Sequence, residues 1–196
     1  PCWGCHNPIQ ILPDGNIVQT YESNNLQHMI LWNFKTGEKL FNLNSISHSY
    51  VVLQNGNLFI QSNKTFDVFY IMNPYSQLIS VWKVIPTHQD QIAKMAALPN
   101  NRIALFIKSQ YILILDGDDL SEIKTIQLNE NDVIKYLRAL NDGLLIGSSM
   151  NGSLLYIWDT KNGVLTKTID INGNEPQISI AVLDNGLFAV SPKTTP

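Results

Sequence analysis

Five times, at intervals of 41, 45, 42 and 43 residues, this chain ends an apolar run on a leucine, adds a polar turn and starts a second apolar run. The turns read Leu12-Pro13-Asp14-Gly15-Asn16-Ile17, Leu53-Gln54-Asn55-Gly56-Asn57-Leu58, Leu98-Pro99-Asn100-Asn101-Arg102-Ile103, Leu140-Asn141-Asp142-Gly143-Leu144 and Leu183-Asp184-Asn185-Gly186-Leu187. A period of about 40–45 residues is enough for four short strands and their connections, and such units bury a core only by stacking on one another. One long-range repeat therefore constrains the whole chain.

Each unit divides further at Asn, Asp and Gly. First strands are expected at 9–12, 50–53, 95–98, 134–140 and 178–183, and second strands at 17–20, 58–62, 103–107, 144–148 and 187–191. Third strands fall at 29–34, 68–72, 111–116 and 154–159, and fourth strands at 39–43, 78–84, 122–128 and 165–171. These are runs of four to eight residues rich in Ile, Val, Phe and Tyr and bounded by turn formers, which is the strand signature. Asp-Gly and Asn-Gly tolerate the positive φ that tight hairpins demand. No long window carries apolar residues at helical spacing, so the chain is all-β.

The third strands close on Ile30-Leu31-Trp32-Asn33, Ile71-Met72-Asn73, Ile114-Leu115-Asp116 and Ile157-Trp158-Asp159. Turns such as Lys35-Thr36-Gly37-Glu38 and Thr160-Lys161-Asn162-Gly163 follow. This pattern resembles the WD-repeat β-propeller family, whose blades end the third strand in Trp-Asp. One intact pair is present, and the Gly-His element of the family is missing. The resemblance implies four-stranded antiparallel blades at 9–43, 50–84, 94–128 and 134–171, with a partial blade at 177–191. Four and a half blades suit a piece of a larger propeller; the alternative is a four-bladed ring carrying the 177–191 hairpin as an appendage. Trp32 and Trp158 then occupy equivalent places and are expected to pack between blades. Trp82, on a fourth strand, suits either a partner anchor or packing under a loop.

Both cysteines, Cys2 and Cys5, lie in the first five residues, so no disulfide framework spans the body, and a reducing, cytoplasmic setting is expected. Residues 1–8 read as the remnant of a preceding segment or a linker. Cys2-Trp3-Gly4-Cys5 followed by Pro8-Ile9 resembles the closing piece of a RING finger. That resemblance implies zinc held by Cys2 and Cys5 with ligands outside this chain, and a parent that is a ubiquitin ligase using the propeller to recognise substrates. Within this chain no cofactor is expected. Asp116-Gly117-Asp118-Asp119 lacks the spacing of a calcium loop and reads as a solvated turn.

The net charge is −3 and charged residues make up 15% of the chain, which does not suit a nucleic-acid surface. No run approaches the roughly 20 apolar residues of a membrane span. The expected partner is a protein or peptide, met by loops on a rigid frame. The loops before first strands and between second and third strands share one rim by the family's geometry, and on it Tyr21, His48, His88 and Lys108 are the candidate contact residues. A propeller enzyme, with a small molecule in the channel, is the competing reading. The first strands are mostly apolar with Lys94, Lys135 and Arg138 nearby and offer no evident acid–base pair, so no catalytic residue is assigned.

Overall fold

The computed structural model describes residues 9–23, 26–44, 49–62, 65, 67–85, 94–107, 111–129, 133–150, 152–171, 178–183 and 187–192. Among them the only helical element is a 3-10 turn at Asn141–Gly143. The strands form four antiparallel sheets of four and one of two. The first sheet holds β1 (Ile9–Ile11), β2 (Ile17–Ser23), β3 (Leu26–Trp32) and β4 (Lys39–Asn44), in that spatial order. The second holds β5 (Tyr50–Val52), β6 (Leu58–Gln61), β7 (Val68–Met72) and β8 (Ile79–Val84). The third holds β9 (Lys94–Leu98), β10 (Arg102–Ile107), β11 (Tyr111–Asp116) and β12 (Glu122–Gln127). The fourth holds β13 (Ile134–Ala139), β14 (Leu144–Ser149), β15 (Leu154–Asp159) and β16 (Val164–Asp170), and β17 (Ile178–Val182) pairs with β18 (Phe188–Pro192).

The repeated sequence has a repeated physical cause. Asn33 and Asn73 directly follow their third strands and Asp159 ends its own, and each side-chain Oδ1 accepts from the backbone N–H groups two and three residues on, at 2.8–3.1 Å. This Asx arrangement closes the turn into the fourth strand. The residue four places on has a left-handed backbone in all four turns: Gly37, Gln77, Leu120 and Gly163, with φ of 71°, 59°, 58° and 76°. Just before the turn each third strand slips register by one residue, at Leu31/Trp32, Ile71/Met72, Ile114/Leu115 and Ile157/Trp158. Such a bulge re-aims the chain into the hairpin. The Trp-Asp position is thus a bulge followed by a cap, and Met72 and Leu115 serve at the bulge as well as tryptophan does.

The chain divides into two compact units, Pro1–Ala93 with Gly117–Leu120, and Lys94–Asp116 with Ser121–Pro196. In the first, Leu12, Val18, Met29 and Leu31 pack with Tyr50, Leu58, Ile60 and Met72, joining the first two sheets face to face. Gln10 of β1 clamps β5: its Nε2 donates to the Tyr50 carbonyl at 3.0 Å and its Oε1 accepts from the Val52 N–H at 2.9 Å. In the second unit, one face of the β13–β16 sheet (Leu137, Leu145, Tyr156, Trp158) packs on Ala96, Leu98, Phe106 and Ile114 of the sheet before it. Its other face, with Ile146 and Leu155, packs on Ile180, Val182, Phe188 and Val190 of the two-stranded sheet. Burying an apolar face on each side stabilises by about 25 cal/mol per Å² of apolar surface removed from water.

Two expectations need correction. The third strand expected at 29–34 spans Leu26–Trp32, because Asn33 caps the turn and Phe34 lies within it. The second strand expected at 17–20 continues to Ser23, which makes Tyr21 a strand residue and not a loop residue.

Candidate functional site

β2 and β3 stay paired as far as Ser23 and Leu26. Near the end of this hairpin Tyr21 faces His28 in register, and the rings stack with centroids 4.8 Å apart and planes 17° from parallel. Cross-strand pairs of this kind hold two flat, hydrogen-bonding side chains in one orientation. Tyr21 is exposed and His28 half-buried, so the pair presents a fixed aromatic platform to solvent.

The second unit carries a different constellation. Lys94 opens β9, alternating with Ala96 and Leu98, which pack toward the next sheet. On β13 the register slips between Ile134 and Tyr136, so Lys135 lies in a bulge, and Arg138 follows three residues later. Burial, and then the positive charges of Arg138 and Lys135, push the Lys94 ammonium down to about 8. Lys135 Nζ lies 5.5 Å from the Tyr136 ring centre, and Arg138 Nη1 donates to the Leu137 carbonyl at 2.9 Å. All three cations are half-buried on the first strands of two adjoining sheets, and Arg138, opposite Ile146 in the ladder, lies on the other face of β13 from Leu137 and Ala139.

Of the contact residues expected from the sequence, Tyr21 is on the β2–β3 hairpin; His48, His88 and Lys108 lie outside the described residues, as do Cys2 and Cys5. His28 was not singled out as a site residue. The β2–β3 register, with Ser23 opposite Leu26, sets 21 against 28. Trp158 is buried in the core between the third and fourth sheets, as expected. Trp32 is half-buried, its Nε1 donating to Gln19 Oε1 at 3.1 Å. Trp82 is 67% exposed on β8, so it does not pack under a loop. Among the described residues no three His, Cys, Asp or Glu side chains gather as a metal site would require.

No family model and no curated protein matches the chain. Solved structures do. A chain in the crystal structure of the mitotic checkpoint complex superposes with a TM-score of 0.72 at 16% identity, over 97% of this chain and 57% of that one. The RRP9 WD40 repeats give 0.66 at 13% identity, over 87% and 52%. The WD40 β-propeller domain of Doa1 gives 0.63 at 16%, over 91% and 58%. This chain thus spans a little over half the length of each. The shared feature is the fold: four complete four-stranded propeller blades and two strands of a fifth.

Proposed function

We propose that this chain is a non-catalytic interaction scaffold that binds a protein or peptide partner through the hairpin ends and loops of its blades. The supporting observation is the Tyr21–His28 stack near the end of the β2–β3 hairpin. Aromatic anchors with a polar edge, already fixed before binding, lose little conformational freedom on docking, which is why such residues dominate contact energies. That one similar structure is of a multiprotein complex is in keeping with the same use.

Quantitative affinity purification tests this reading, comparing the wild-type chain with Tyr21→Ala, His28→Ala and a combined variant at Tyr21, His48, His88 and Lys108. At least one partner is expected to fall about tenfold or more in recovery with Tyr21→Ala, a loss typical of a contact anchor. A partner set retained in full by every variant overturns the proposal.

A further inference from the structure

We propose that the outer edge of β8 is a self-association site, at which two copies of this chain pair their β8 strands antiparallel with Trp82 opposite Trp82. The site belongs to the first unit alone and stands whether or not the Tyr21 platform binds anything.

The edge is open. β8 ends the order β5-β6-β7-β8, and nothing among the described residues pairs with its other side. The Ile85 N–H donates to the Asp67 carbonyl at 2.7 Å, and one step along β7 the Val68 carbonyl turns the other way, accepting from the Ser62 N–H at 2.7 Å. Bonded and non-bonded pairs alternate along an antiparallel ladder. Lys83, two residues before Ile85, therefore bonds to β7, while the peptide groups of Trp82 and Val84 point away from it. Both side chains are exposed as well, Trp82 at 67% and Val84 at 55%. Outward donors and acceptors flanked by exposed apolar side chains are a template for another strand.

Charge then selects the occupant. Sheet edges are normally guarded by charged side chains, lysine above all. The other outer strands follow that rule, with Lys39 exposed on β4, Glu122 on β12, and Lys167 and Asp170 on β16. β8 carries one charge, the half-buried Lys83, and its Nζ donates to the Leu120 carbonyl at 2.7 Å, which draws it off the edge. A strand that matches this edge brings no exposed charge and has apolar residues at the outward positions. The β8 strand of a second copy meets both conditions. Charge also sets the register. Pairing centred on Lys83 would set two lysines directly opposite, where like charges destabilise. Pairing centred on Trp82 joins outward peptide groups to outward peptide groups and sets each Lys83 opposite the second copy's Val81. It also lays the two indole rings side by side, a favourable cross-strand pair.

A single strand pair is a small contact, in the weak and transient class. The test is sedimentation equilibrium of the whole chain from low micromolar to near-millimolar concentration, where the mean mass is expected to rise toward twice that of the chain. Trp82→Lys, which sets two like charges across the pair, is expected to weaken association tenfold or more. Val84→Pro, which removes an outward N–H and leaves the ladder to β7 intact, is expected to do the same. Trp82→Lys mixed with Trp82→Glu is expected to recover the dimer, because residue 82 meets its own counterpart. A wild-type chain that stays monomeric throughout overturns the proposal. So does a dimer that Trp82→Lys leaves intact, which would place the contact on another surface, and so does a mixture no more associated than either Trp82 variant alone. Should Val84→Pro fail to fold, the two Trp82 variants, changed only at an exposed side chain, decide.

Discussion

Tyr50 and Val18, 32 residues apart, are joined by a buried hydrogen bond: the phenol donates to the Val18 carbonyl at 3.1 Å. Tyr50 is 1% exposed, and burial raises its phenol well above the ordinary tyrosine range, so it stays a donor at any physiological pH. The contact fastens the first sheet to the second beside the Gln10 clamp. Tyr50→Phe removes the donor and leaves the carbonyl in place, which should cost about 1–2 kcal/mol. A lowered urea midpoint with an unchanged m-value checks this. Tyr50→Ala, which also opens a cavity, should cost about 3–5 kcal/mol.

Gln77 should be improved by glycine. It takes the left-handed backbone that Gly37 and Gly163 take at the same turn position, and it is exposed, so packing does not explain it. A left-handed residue with a Cβ costs about 1–2 kcal/mol, and glycine returns part of that gain through its freer unfolded chain. The net expectation for Gln77→Gly is a stabilisation of about 0.5–1 kcal/mol. Gly37→Ala, where a Cβ meets nothing within 4 Å, isolates the backbone effect and should destabilise by about 1 kcal/mol. Thermal melts of the two variants should move in opposite directions.

The same turns show why the fold could be read from the chain and the site largely could not. Asn33, Asn73, Asp116 and Asp159 recur because each ends a bulged strand, and three of them visibly cap the next turn; that physics is local and appears directly as a spaced residue type. Four buried turn leucines, Leu12, Leu53, Leu98 and Leu140, recur for the same reason. Strand ends were less legible where pairing outran propensity: the polar Glu22-Ser23 reads as loop, yet β2 keeps its ladder with β3 there. Lys94 lies about one repeat before Lys135 and Arg138, so the repeat already put all three beside first strands. The one-residue slip at Lys135 is what leaves no spacing pattern.

Gly147 is required by shape. A Cβ there would lie 2.9 Å from Trp158 Cζ3, closer than real contacts allow, and a tight 3.1 Å from Ile134 Cγ2. Trp158 is a large, fully buried ring in the core between two sheets and has nowhere to retreat. Gly147→Ala should therefore destabilise by about 1–3 kcal/mol through overpacking. Chemical denaturation measures the cost, and Gly147→Ala combined with Trp158→Phe should recover part of it. No recovery in the pair would show that the ring is not the obstacle.

Lys94 should make stability rise with pH in the alkaline range. Burial first, then Arg138 and Lys135, lower its folded value from 10.5 to about 8. Below pH 8 the residue is charged in both states, and the folded protein carries the full penalty. Between about 8 and 10.5 the unfolded chain holds the proton that the folded chain has released, so stability increases through that window and levels off above it. Discounted for solvent screening of a half-buried group, the gain is about 1–2 kcal/mol. Other lysines and tyrosines titrate nearby, so the reading is the wild-type free energy minus that of Lys94→Met at each pH. Lys94→Met should be the more stable below pH 8, with its advantage shrinking toward pH 10. A difference that stays flat across the window would show that Lys94 sits in water at its ordinary value, away from Arg138 and Lys135.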